Sequence, residues 1–390
     1  MKRSNSRVLG ALVFCFFGLV GCSGQKTESD AKTSAAPATS GELAPTGQNA
    51  LPGMPPVQDP NDIYAADHAG NLSPVVRDFP SRIYVPNSGS NTVDIIDPAT
   101  YKIVGHFPVG HQPQHVVPAW DLKRLWVLND LGDSVTEVDP TTGKKGRTLP
   151  VTDPYNMYFT PDGKYAIVVA EAKEQLDFRD AQSMKLVDSV KVGCKGVDHM
   201  DFTADGRFLI ASCEFASRVL KVDVANRKVI GSIELEKGGM PQDVKTSPDG
   251  KVFYVADMMA NGIYLIEPDS FKRIGFIPTG KGTHGLYVSR DSKLLYISNR
   301  GEGSVTVFDL ATRKIRTKWL IPHGGSPDMG GVSADGKVLW LSGRYNAEVY
   351  AFDTTDGHLL ARIKVGKGPH GLCVYPQPGR YSLGHTGVFR

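Results

Sequence analysis

The sequence predicts an all-β protein, a seven-bladed β-propeller with four antiparallel strands per blade. Three observations predict it: a repeat of about 43 residues visible in two registers, strand-type alternation broken by Pro-Asp-Gly turns, and no sustained helical periodicity. The first register is a tight turn ending at Asp121, Gly163, Gly206, Gly250, Ser292, Gly336 and Gly379. The second is the acidic residue closing a strand, at Asp97, Asp139, Asp180, Asp223, Glu267, Asp309 and Asp353. Both advance by 41 to 44 residues per step, and two markers keeping pace over seven units do not arise by chance.

Each unit reads as four short strands. In 243–279 these are DVKTS, then KVFYVAD after the turn PDG, then GIYLIEP, then FKRIGFIPTG. Pro sets φ near −65° at the turn and Gly supplies positive φ. The folded part begins mid-unit, with RIYVPN, TVDIID and KIVGHFPVG (82–110), and ends on a lone inner strand, GLCVYP (371–376). Together these complete one blade, so that the ring closes and no sheet edge stays open. Residues 380–390 are expected along the turn side. Trp120, Trp126, Trp319 and Trp340 are expected to pack between blades.

The ends are of another kind. Lys2, Arg3 and Arg7 precede an apolar run from Val8 to Val20 that is too short to span a bilayer comfortably, the pattern of a secretion signal over 1–21. Leu19-Val20-Gly21-Cys22 resembles the lipobox of bacterial lipoproteins, which implies lipidation of Cys22 and attachment to the cell envelope, at the outer membrane or periplasmic face if the cell has two membranes. Residues 22–60, rich in Ser, Thr, Ala, Gly and Pro, read as a flexible tether, 61–81 as an approach segment and 82–390 as the propeller. Dropping 1–21 leaves 41 basic residues against 41 acidic ones. A chain without net charge or a basic stripe has no electrostatic footprint for nucleic acid, and a monomer is expected.

Tyr84-Val85-Pro86-Asn87, Tyr254-Val255-Ala256-Asp257 and Tyr296-Ile297-Ser298-Asn299, each followed by a strand ending in Asp or Glu, resemble the YVTN-type β-propeller repeat. The resemblance covers residues 82–379. It implies the fold and leaves activity open, because that family is functionally broad.

Aligned by their turns, the units place a polar residue at one mouth of the channel: His115, Asn156, His199, Asp243, His284, Asp328 and His370 at or beside the inner-strand entrance. Asp130, Glu171, Glu214, Asp257, Arg300 and Arg344 follow at the exit of the second strand. A rim that differs from unit to unit suits an asymmetric ligand. The primary expectation is a non-catalytic site for a small ligand or an envelope protein. The alternatives are a transition metal or haem on His115, His199, His284 and His370, or a hydrolytic site. For the latter His199 would act as base beside Glu214, with Arg300 or Arg344 stabilising an oxyanion. The fold is similar to haem d1 domains and to propeller lactonases, which is what brings those two alternatives forward. No local motif demands a cofactor. Cys194 and Cys213 fall close enough either for a disulfide or for a thiolate–imidazole metal corner with His199. Cys373 reads as core, and His106 and His358 as solvated outer-strand residues. His385, in Leu383-Gly384-His385-Thr386, has no reading from the sequence.

Overall fold

A computed structural model describes residues 50–385 and 387–390. The expected signal at 1–21 and the lipidation site Cys22 lie outside the described residues. The chain forms seven four-stranded antiparallel sheets, one of them extended by two short strands. Six blades follow one another in sequence, with inner strands Pro113–Pro118, Pro154–Phe159, Val197–Phe202, Pro241–Thr246, Thr283–Val288 and Pro327–Val332, numbered here as blades 1 to 6. Blade 7 closes as expected: the C-terminal strand Cys373–Tyr375 lies innermost, beside Arg82–Asn87, Thr92–Asp97 and Lys102–Pro108.

Burial explains the patterns. Inner and second strands are covered on both faces; the second strands read as nearly continuous apolar runs, such as Tyr165–Ala170, while the inner strands bury polar residues, as in Val197–Phe202. Outer strands alternate, as in Lys228–Glu234, because one face meets solvent. The tight turns share one device: a Ser or Thr hydroxyl two residues before an Asp donates to its carboxylate. The pairs are Thr160–Asp162 (2.6 Å), Thr203–Asp205 (2.5 Å), Ser247–Asp249 (2.6 Å), Ser289–Asp291 (2.6 Å) and Ser333–Asp335 (2.6 Å). Trp126 and Trp340 are buried as expected. Trp120 sits in a turn and not on a strand, yet packs between blades as expected: its indole N–H donates to the Pro161 carbonyl (3.3 Å) and its ring stacks on Tyr381, with centroids 5.5 Å apart.

Two expectations about the ends are corrected. The tether was expected to run to residue 60, yet the Leu51 amide already donates to the Asp205 carbonyl (2.8 Å) and Ile63 to that of Pro248 (2.8 Å). The apolar Leu51, Ile63 and Tyr64 find buried positions there, so 50–79 packs on the turn side. The tail does not merely lie along that side. Ser382–Gly384 pairs with the inner strand of blade 2 at Gly384–Tyr158, and Val388–Phe389 folds back on it, so residues 382–385 enter the channel from below. Tyr381, Leu383, Val388 and Phe389 are all buried, which is the physical reason the tail leaves the surface. Arg390 anchors its end, donating to Asp201 (3.0 Å) and lying 4.7 Å from the centre of the Tyr64 ring.

Candidate functional site

The register slips at the start of each inner strand of blades 1 to 6, for example between Val197 and Met200. This is a β-bulge: two residues of the inner strand face one residue of its neighbour. In blades 3, 5 and 6 a serine of the second strand holds it, Ser212, Ser298 and Ser342 accepting from the amides of His199 (3.1 Å), Gly285 (2.8 Å) and Met329 (3.3 Å). Consecutive side chains therefore both reach the channel, and the single predicted ring becomes two rungs. The upper rung is Gln114, Tyr155, Asp198, Gln242, His284, Asp328 and His370. Immediately below stand His115, Asn156, His199 and Asp243, opposite Gly285, Met329 and Gly371. Glycine at 371 is needed there, because any Cβ would strike the His115 ring.

The upper rung holds an ionic network in blades 5 to 7. Asp328 accepts from Arg300 Nε (2.9 Å) and Nη2, from His370 Nδ1 (2.7 Å), and lies 3.2 Å from His284 Nδ1. The Arg300 guanidinium also meets His284 Nε2 and the Tyr345 hydroxyl (3.3 Å). Burial alone would raise the Asp328 carboxyl, but the guanidinium charges of Arg300 and Arg344 and the bond from Arg300 hold it below the usual range. Arg300 is thus committed to the protein, and His284 with it.

The lower rung is richer in imidazole than the sequence implied. His385 rises from the tail and meets His199 at 4.8 Å between ring centroids and His115 at 5.4 Å. His115 in turn lies 4.8 Å from His370 and 5.5 Å from His199. The Asn156 amide nitrogen touches the Nδ1 atoms of both His199 (3.1 Å) and His385 (3.0 Å). Burial pushes all five imidazoles below their ordinary range, His199 to about 3, so they are neutral at physiological pH. It pushes the carboxyls the other way. Asp243 rises to about 6, while Asp198 rises further under burial and the neighbouring charges of Glu214 and Glu171.

The remaining expected rim residues divide. Glu214 belongs to the mouth, its carboxyl raised by burial against a bond from Gln242 and the charges of Arg300 and Arg344. Glu171 and Arg344 act on the same groups from neighbouring loops. Asp257 does not belong. Its Oδ1 accepts from the amides of Met240 (2.9 Å), Met259 (3.0 Å) and Ala260 (2.8 Å), so it caps a loop. It occupies the position of Asn129 and Asn299; the mouth position of that blade falls to Met258, one residue later. Asp130 is tied to Asp153 in the loop between blades 1 and 2 rather than to the channel. Sequence reading missed His385, Tyr155 and Asp198 as mouth residues. The last two were legible from the bulge offset, since each precedes an assigned rim residue.

Cys194 and Cys213 form a disulfide with Cα atoms 6.0 Å apart, which removes the thiolate metal corner as an alternative. The bridge ties the loop before the His199 strand to the end of the next one. Replacing both by Ser is expected to cost about 3 kcal/mol of unfolding free energy, for a 19-residue span. Denaturant titration of the oxidised wild type and the double variant measures this, and equal midpoints would overturn it. Cys373 is buried as expected, and His106 and His358 are exposed.

Fold and site together define a propeller whose channel is polar at the loop-side mouth, imidazole-lined at mid-depth and plugged by its own tail from the turn side. The chain belongs to the YNCE-like β-propeller family, whose profile matches residues 65–379. It is 24% identical over 248 residues to the dihydro-heme d1 dehydrogenase of Pseudomonas aeruginosa, covering 59% of this chain and 49% of that protein. It is 26% identical over 172 residues to an uncharacterized protein of Lactococcus lactis, covering 37% and 50%. The chain thus spans about half the length of the curated relatives it matches. Among solved structures it is similar to the dihydro-heme d1 dehydrogenase NirN in complex with DHE, with a TM-score of 0.59 at 18% identity over 83% of this chain and 82% of that one. It is also similar to hydrazine synthase of Kuenenia stuttgartiensis (TM-score 0.58, 21%, 73% and 98%) and to a putative 6-phosphogluconolactonase of Bacteroides uniformis (TM-score 0.60, 17%, 75% and 99%). At these identities the structural likeness concerns the fold.

Proposed function

We propose that this is an extracytoplasmic propeller, lipid-anchored at Cys22, that binds a small ligand of separated charge, or a charged loop of an envelope protein, at its loop-side mouth without transforming it. The carrying observation is the mouth's polarity. Arg344, half-buried, has one long hydrogen bond to the Gln114 amide (3.5 Å) and no carboxylate partner among the described residues. Glu171, Glu214 and Asp198 face it from blades 2 and 3. A guanidinium left without a carboxylate recognises an oxyanion bidentately, and the acidic half accepts a donor or cation, so a zwitterion or amino-carboxylate matches both. The disulfide supports the oxidising compartment.

The test is a thermal-shift and calorimetric screen of amino acids, betaines and dicarboxylates. A binder is expected whose affinity falls at least about tenfold in Arg344→Gln and in Glu214→Gln, the loss of one charge-assisted hydrogen bond at roughly 1.5–3 kcal/mol. Binding that ignores both substitutions overturns the reading.

The relatives raise haem and lactone hydrolysis. Rings packed edge to face at 4.8–6.3 Å leave no room for a macrocycle among the imidazoles, so the lower rung does not fit a haem. For hydrolysis, Arg300 is already held by Asp328, and Glu214 and Arg344 are the candidates at the mouth that have no ion-pair partner among the described residues.

A further inference from the structure

Beneath the mouth, and independent of what the mouth binds, the geometry points to a site for one divalent first-row transition-metal ion, held by His115, His199, His385 and Asp243. The ligand atoms of His199, Asp243 and His385 lie within 4.8 Å of one another, and His385 Nε2 is 3.7 Å from Asp243 Oδ1. A tetrahedral ion with bonds of roughly 2.0–2.2 Å holds its ligands about 3.4 Å apart, so these three close with small side-chain rotations, and the His115 ring, 5.4 to 5.5 Å from those of His385 and His199 between centroids, must swing further to join them.

Two further observations agree. First, His115 is fully buried and neither ring nitrogen has a hydrogen-bond partner, and His199 Nε2 has only the Asp198 carboxylate beside it, at 3.2 Å and out of hydrogen-bond geometry. Such a nitrogen is costly to bury unpaired, and one cation would answer a single nitrogen of each ring. Second, His385 adopts φ of +49°, a left-handed backbone that a non-glycine residue keeps only when its surroundings impose it. The chain bends there to aim an imidazole at the others.

Asn156 supplies the orienting shell. Its amide nitrogen lies 3.1 Å and 3.0 Å from the Nδ1 atoms of His199 and His385, while its Oδ1 accepts from the Met157 amide (2.8 Å), so one side chain fixes both rings. Imidazole donors select zinc, copper, nickel or iron over calcium and magnesium. His284 is excluded, because its Nε2 faces the Arg300 guanidinium. His370, held by Asp328 through Nδ1, borders the site at the Tyr155 side.

The test uses the full chain stripped with a chelator, then loaded with Zn²⁺ or Co²⁺ and dialysed. Elemental analysis is expected to find one Zn²⁺ per chain, and Co²⁺ to give the intense visible bands of a tetrahedral site. X-ray absorption at the zinc edge of the wild type should show at least two imidazoles and no sulfur, a readout that needs no variant to fold. His115→Gln and His385→Gln should each weaken Zn²⁺ binding by about 100-fold or more, since loss of even an orienting partner typically costs 10–100-fold. His358→Ala, on the exposed outer strand edge, should not. Substoichiometric zinc in the wild type, sulfur or oxygen-only coordination, or equal affinity in the His115 and His385 variants would each overturn the assignment. None of these outcomes bears on ligand binding at Arg344 and Glu214.

Discussion

Asp328→Asn is expected to destabilise the protein by about 3–5 kcal/mol, the usual cost of stripping one partner from a buried ion pair. The substitution keeps shape and removes charge, so cavity formation does not contribute. What remains is the Arg300 guanidinium, nearly buried, with His284 and His370 losing the carboxylate that orients both rings. Desolvation of the guanidinium then acts without compensation. A companion variant separates this from general disruption. Arg300→Met combined with Asp328→Asn removes both charges and should recover at least half of the loss, because the penalty belongs to the unpaired charge and not to the pair. Urea titration of the four members of the cycle measures the coupling. A single-variant cost below about 1 kcal/mol would show that the network is solvated and not a buried pair.

Phe389→Ala should cost about 3–5 kcal/mol, and deletion of 381–390 at least as much. Phe389 is fully buried and packs in the cluster with Tyr84, Val127 and Tyr375, which join blades 1 and 7 where the ring closes. The deletion also removes Tyr381, Leu383 and Val388 from the blade 2–3 cluster and leaves Asp201 without Arg390. A ten-residue tail would ordinarily fray at no cost. A truncated chain with an unchanged denaturation midpoint would mean the tail sits in the channel without holding it together.

Much of the fold was readable because propeller signals are local. A strand's alternation, an Asp-Gly turn and a strand-closing acid each depend on neighbours a few residues away, and the repeat multiplied every one of them. The polar composition of the mouth was readable for the same reason. Its registration was not: a one-residue offset put Asp257 on the rim although its side chain caps its own loop. The bulge turned one predicted ring into two rungs, so Asp198 and Tyr155 joined the site although each sits one residue before a residue already assigned. His385 left no local trace. Its strands of three and two residues carry no repeat and no periodicity, and the position becomes meaningful only beside blade 2.

The amino-acid order by itself therefore determined the number of blades, their closure and the kinds of side chain at the mouth, because those follow from short-range backbone preferences and burial. Only the tertiary structure decided which imidazoles meet, which arginine is spent on an internal carboxylate, and that the tail rises into the channel. Those outcomes depend on contacts between residues as far apart as Asn156 and His385, which form only once the ring has closed and the apolar tail residues are buried against it.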